Sequence, residues 1–196
     1  MKSPKPRWTE NPLGQHDLDR SRWIAVLPLG AFEQHGPHLP PETDAIIAEG
    51  IVDQVISVLP DELPATFLPV EAVGYSVEHV DFGNTKTLAW DEAVHRWLDI
   101  AGTLHAAGVR KLVMLNAHGG NSALMTIVAT EARIRFGMLA VATSWTRFGL
   151  PPDTISADEK AFSIHGGEIE TSLLLALSPE RVHMDHASYF RSASQE

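Results

Sequence analysis

Two short apolar runs each lead into a histidine-bearing loop and then a helix-forming stretch, and this repeated arrangement restricts the fold more than any other feature. The first run is Ile24–Leu29, limited by Pro28 and Gly30 and followed by Glu33, Gln34 and His35. Bends at Pro37, Pro40 and Pro41 then bring the chain to Asp44 and a helix. The second run, Lys111–Ala117, passes directly into His118-Gly119-Gly120-Asn121 and a helix reaching about Phe136. Nearly continuous apolar runs of this length suit strands at the centre of a parallel sheet.

The rest of the chain alternates in the same way. After Asp44, Ile47, Ile51, Val55 and Val58 recur at helical spacing, widened by Ile46, Val52 and Leu59, until Pro60 and Pro64 end the stripe. Ala65–Val70 reads as a second strand. Thr87 is placed to cap a helix over Leu88–Ala107, with Trp90, Val94, Trp97, Leu98, Ala101 and Leu104 inward and Gly108 as its stop. Met138–Trp145 reads as a fourth strand, Arg147–Lys160 as a loop, and Glu168–Leu177 as a helix apolar enough all round to be buried. Strands alternating with helices predict an α/β fold, a parallel sheet with helices on both faces, whose ligands gather at the C-terminal strand ends. Residues 1–20 are polar and proline-containing and read as an arm; residues 21–196 read as one domain without repeat or linker.

Composition removes several classes of function. The formal net charge of −10 argues against a nucleic-acid surface. No apolar run is long enough to span a membrane, and the opening residues lack the apolar core of a signal peptide. With no cysteine, any metal must be held by His, Asp or Glu, and a cytoplasmic location fits.

Glu33 and His35, two apart in an extended segment, project to one side, and Asp44 comes within a dozen residues. Two carboxylates and an imidazole suit a hard or borderline cation. The same residues also suit plainer roles: Thr43 or Asp44 as a helix N-cap, and His35 and His38 as loop histidines bonded to backbone. That Glu33/His35 and His118 both lie just past strand ends favours the metal. His118-Gly119-Gly120 also resembles a phosphate-cradling loop, but no Lys-Ser/Thr pair comes after it, so a P-loop is not supported. His165-Gly166-Gly167 precedes another helix, with Glu168 and Glu170 in its first turn. Those carboxylates favour the helix dipole, and the apolar residues after them suggest that at least one points into the site. Glu78-His79, in another C-terminal loop, suits either substrate contact or a surface pair. His16, His95, His105, His183 and His186 have no assignable partners.

PLGAFEQHGPHLPPETD, LNAHGGN and HGGEIETSLLLAL, in that order and spacing, resemble the creatininase (creatinine amidohydrolase) family over about Trp23 to Asp185. The resemblance implies a three-layer α/β/α fold, a centre of two divalent metal ions (zinc, manganese or iron), a small-molecule substrate, and a homo-oligomer, often a hexamer. Carried over by motif, Glu33, Asp44 and His118 hold one metal, His35 holds the second with Asp44 bridging, and His165 transfers a proton near the substrate. Trp145, His79, Gly119 and Gly120 fall at substrate-facing positions. The chain departs from creatininase itself at several places. Gly119 and Gly120 stand where creatininase has Tyr-Glu, whose Glu binds the second metal, so Glu170 is the candidate replacement. Ile164 replaces an acidic residue and a nearby tryptophan is missing, which counts against creatinine as substrate. Family chains usually continue past the equivalent of Glu196, so a family C-terminal segment is expected to be missing. The expected activity is metal-dependent hydrolysis of an amide or cyclic amide. Alternatives are a peptidase or formamide deformylase of the family, or a non-catalytic ligand-binding module.

Overall fold

The computed structural model describes residues 4–11 and 19–190. Part of the expected arm, and His16 with it, lies outside the described residues. The sheet has four strands, β1 (Ile24–Leu29), β2 (Ala65–Phe67), β3 (Lys111–Asn116) and β4 (Leu139–Ser144), all parallel in the order β2-β1-β3-β4. Among the described residues five α-helices accompany it: α1 (Thr43–Val58), α2 (Trp90–Ala106), α3 (Ser122–Phe136), α4 (Ala157–Phe162) and α5 (Glu168–Leu177).

Strand periodicity sorts the core into two layers. Ala25, Leu27 and Leu29 of β1 join Leu112 and Met114 of β3 and pack on Val94, Trp97, Leu98 and Ala101 of α2 and Leu124 and Val128 of α3. The alternate residues Val26, Val113 and Leu115 face Val52, Val55 and Ile56 of α1. With helices on both faces, the fold is three-layer α/β/α. The connection leaving β1 runs to one side, to β2, and the one leaving β3 runs to the other, to β4, so the strand order reverses between the C-terminal ends of β1 and β3. A crevice opens at such a reversal, which is why ligands bind there in open α/β sheets.

Several sequence expectations are corrected. The second strand stops at Phe67 rather than Val70, since Pro69 has no N–H to continue the ladder. Thr87 does not cap α2: the N-cap is Ala89, and the Thr87 hydroxyl is engaged by the Ser76 N–H at 2.8 Å and the Leu88 carbonyl. Trp90 is 59% exposed at the start of α2, and Val58 is 78% exposed at the end of α1, where few neighbours remain to cover the stripe. Thr43 and Asp44 lie inside α1, behind the N-cap Glu42, and both are buried. The stretch 147–160 is not all loop: a 3-10 turn spans Trp145–Phe148, and α4 starts from Ser156, whose hydroxyl accepts the Glu159 N–H. In α5 only Leu174 is fully buried, because one face alone packs, on Leu39 and Ile47, leaving Leu175 42% exposed. The expected stop of α2 holds, with Gly108 at φ 94°.

Candidate metal centre

Gly30 ends β1, and a Cβ there would lie 2.8 Å from the Ala45 nitrogen. Only glycine lets the first turn of α1 press against the strand end, and that contact carries Asp44 into the crevice. From the neighbouring strand, the Asn116 Oδ1 accepts the His118 N–H at 3.1 Å, and its amide donates back to the His118 carbonyl. Asn121, completely buried, fastens three loops together. Its amide donates to the Gly30 carbonyl and to Asn116 Oδ1, both at 3.1 Å, while its own oxygen accepts the Tyr75 N–H at 2.9 Å.

These supports converge a set of acids and imidazoles. His35 Nε2 is 3.3 Å from Asp44 Oδ1 and 4.0 Å from Glu170 Oε1. His118 Nδ1 is 3.2 Å from Glu33 Oε1 and 3.3 Å from Asp44 Oδ2. His165 Nδ1 is 3.5 Å from Glu33 Oε1. Glu33, His35, Asp44 and His118 are all buried, at 5% exposure or less. The His165 ring lies between those of His35 and His79, with centroids 4.2 Å from each. Glu33 also accepts the Ser76 hydroxyl.

The three inner histidines share one feature. His35 Nδ1 donates to the Glu33 carbonyl at 3.0 Å, His118 Nε2 to the Tyr75 carbonyl at 2.9 Å, and His165 Nε2 to the Gln34 carbonyl. A carbonyl can only accept, so each outer nitrogen carries hydrogen and each inner nitrogen faces the carboxylates. This is how ligating histidines are held by their outer hydrogen bonds.

The electrostatics obey the same geometry. Burial disfavours the charged form of His35, yet the Asp44 and Glu170 carboxylates outweigh it and raise its pKa to about 9. Burial likewise opposes charge on His118, but Asp44 and Glu33 lift it to about 10. Burial pushes Asp44 up, and the two imidazoles overcome this and hold it at about 2. Glu170 rises to about 7, mainly through burial and then through the negative charge of Asp44, against the pull of His35. His165 moves below its ordinary value through burial and the neighbouring His35 charge.

The donor set fits a cation. Asp44 Oδ2, on a residue only 1% exposed, has only His118 Nδ1 facing it at 3.3 Å and no well-aligned hydrogen bond, so a cation would complete its coordination. Ligand atoms of Glu33, His35 and Asp44 lie within 4.8 Å of one another, as do those of His35, His165 and Glu170. All-oxygen-and-imidazole sets of this kind suit zinc, manganese or iron.

Of the sequence-predicted residues, the structure therefore brings together Glu33, His35, Asp44, His118, His165 and Glu170, with His79 against His165. Gly120 lies over His118, where a Cβ would come 2.5 Å from Nε2, while a Cβ at Gly119 would meet nothing within 4 Å. Trp145 packs beside Leu39, Ile47 and Leu174. Sequence reasoning missed Ser76, Asn116 and Asn121. Of these, only Asn121 carried a signal, its place directly behind the two glycines after His118.

Comparison with known proteins gives a consistent picture. The profile of the Creatininase family, creatinine amidohydrolase, matches residues 9–196. The chain is 35% identical over 170 residues to the mycofactocin precursor peptide peptidase of Mycobacterium tuberculosis, covering 82% of this chain and 61% of that protein. It is 28% identical over 178 residues to the creatinine amidohydrolase of Pseudomonas putida, covering 83% of this chain and 67% of that one. A solved zinc–zinc form of a creatininase mutant superposes with a TM-score of 0.75 at 25% identity, over 97% of this chain and 78% of that chain.

Proposed function

The chain belongs to the creatininase family, and from that premise we propose that it is a metal-dependent hydrolase that cleaves an amide or cyclic-amide C–N bond of a small molecule. The observation that carries this reading is the shared posture of His35, His118 and His165, each tied outward to a backbone carbonyl and turned inward to Glu33 and Asp44. A non-catalytic binding module has no need of such a set.

In this reading Glu33, Asp44 and His118 hold one divalent ion; His35 and Glu170 hold a second, with Asp44 shared. The zinc–zinc form of the superposed creatininase supports two ions. Ions held there supply a water of lowered pKa and polarise the scissile carbonyl. The chain's own residues do the rest. His165 keeps hydrogen on Nε2 through the Gln34 carbonyl, so Nδ1 is the atom that takes a proton and returns it to the leaving nitrogen. His79, stacked on His165, and the open backbone at Gly119 border the space for substrate, with Gly120 packed behind His118. Trp145, beside α5, belongs to its outer wall.

The chain spans 61% of the length of the peptidase relative, so the substrate is open within the class. That relative's name favours one specific second reading, a peptidase acting on a short peptide. The proposal extends to a homo-oligomer, a hexamer by family resemblance, supported by Leu139 and Val141 at 63% and 42% exposure on the edge strand β4. A cytoplasmic location is supported by the cysteine-free chain, and no helix among the described residues is long and apolar enough to cross a membrane. The test is a panel of lactams, cyclic ureas, formamides and short peptides assayed with manganese- or zinc-loaded protein. Turnover of at least one class that chelator abolishes is expected; no turnover with either metal would overturn the enzyme reading.

A further inference from the structure

Glu78 lies in the loop between β2 and α2, on a 3-10 turn at Val77–His79, and its side chain is 43% exposed. An exposed loop carboxylate ordinarily has no structural consequence. This one reaches back into the centre: its Oε1 lies 3.4 Å from His118 Nε2, the nitrogen that also donates to the Tyr75 carbonyl at 2.9 Å. Behind both sits Gly120, where a Cβ would come 2.5 Å from His118 Nε2 and 2.6 Å from Glu78 Oε1. Glycine at 120 is therefore what allows the carboxylate and the imidazole to meet. On the other side of the ring, His118 Nδ1 faces Glu33 and Asp44.

We propose that Glu78 is the positioning carboxylate of the centre, holding the outer N–H of His118 jointly with the Tyr75 carbonyl so that Nδ1 is fixed on the metal. The inference rests on His118 being a ligand, as in the proposed function. Ligating imidazoles usually pass their second N–H to a carboxylate or carbonyl, and loss of such a partner typically lowers metal affinity about 10–100-fold. His118 donates to the Tyr75 carbonyl and has the Glu78 carboxylate 3.4 Å from the same nitrogen, on the loop that also carries His79. Ligand atoms of Glu33, Glu78 and His118 also lie within 4.8 Å of one another, but the His118 nitrogen that Glu78 approaches is the one committed to Tyr75, so the contact acts on the imidazole and not on the ion.

The test measures zinc affinity by competition with a chromophoric chelator, in the full chain, for wild type, Glu78→Gln, Glu78→Ala and Asp81→Asn. Asp81 is an exposed acid of the same loop and controls for general charge. Wild type is expected to bind tightly and Glu78→Ala about 10–100-fold more weakly with stoichiometry unchanged. Glu78→Gln, whose amide oxygen still accepts, falls between them, and Asp81→Asn stays near wild type. The downfield imidazole N–H proton resonance of His118 in the zinc-loaded protein should move in Glu78→Gln and not in Asp81→Asn. Equal affinity in all four, an equal loss in Asp81→Asn, or loss of a whole equivalent of zinc in Glu78→Ala would each overturn the proposal. If wild type binds no zinc, the metal reading itself fails, which is a separate outcome.

Discussion

Asp44 and His118 meet at 3.3 Å, Oδ2 to Nδ1, although one lies in the first turn of α1 and the other sits just past the end of β3. The contact spans the crevice where the strand order reverses, so it depends on the topology and not on local sequence. Because Asp44 Oδ1 also faces His35, a single buried carboxylate links both halves of the donor set. Replacing it removes the bridge and leaves two buried imidazoles without their main counter-charge.

His165→Ala should separate proton transfer from metal binding. Removing a positioned general acid–base costs about 10²–10⁴-fold in rate. The substitution is expected to lower kcat by at least about 100-fold while metal content stays at the wild-type level. A parallel loss of metal would make His165 a ligand, since its Nδ1 faces Glu33 as the other two inner nitrogens face their carboxylates.

The metal-free protein should be less stable at pH 9 than at pH 6. His35 and His118 titrate at about 9 and about 10 when folded, above the ordinary imidazole value of 6.5. Their contribution is therefore complete below about 6.5 and lost as pH rises through 9 to 10. Glu170, raised to about 7, acts in the same direction between its ordinary 4.5 and 7. Asp44, held at about 2, contributes above about 4 and loses that contribution only as pH falls toward 2. Metal must displace the imidazole protons, so metal affinity should rise across the window in which metal-free stability falls. Thermal melts with and without chelator at pH 6 and 9 measure both; a metal-free midpoint higher at pH 9 would contradict the assignment.

Asn121→Ala should destabilise the fold by about 1–3 kcal/mol, because the Tyr75 N–H and the Gly30 carbonyl lose their partner in a buried setting. Denaturant midpoints at unchanged m-value would report it. A variant within experimental error of wild type would show that Asn121 does not tie these loops together.

Much of this was legible in the sequence, for physical reasons. Ile24–Leu29 and Lys111–Asn116 are largely apolar because helices cover both of their faces, fully along most of β1 and in part on one face of β3, and parallel pairing brings their C-terminal ends, with the loops beyond, to one rim of the sheet. Glu33, His35, Asp44 and His118 were readable because they stand on those loops or at their far end. The supports were hardly readable, Asn121 alone carrying a signal in its place behind the two glycines. Ser76, Asn116 and Asn121 act through hydrogen bonds between distant loops, and a buried asparagine looks in sequence like a turn residue. Helix α5 misled because its apolar residues exceed the area the fold offers to cover them. Trp90 misled because a helical stripe does not show where the helix outruns its neighbours.

Gly30→Ala tests whether backbone approach sets the site. The added Cβ would sit 2.8 Å from the Ala45 nitrogen, and forcing α1 outward should cost about 1–3 kcal/mol. Asp44 moves with that turn, so metal affinity should fall together with stability. Lost stability with unchanged affinity would detach Asp44 from the metal.

The central claim is met most directly by elemental analysis of the dialysed protein alongside Asp44→Ala. The account predicts about two divalent transition-metal ions per chain in the wild type and a sharp fall in the variant, as expected when a shared ligand is lost. A wild-type protein carrying none, even after incubation with manganese or zinc, would contradict it.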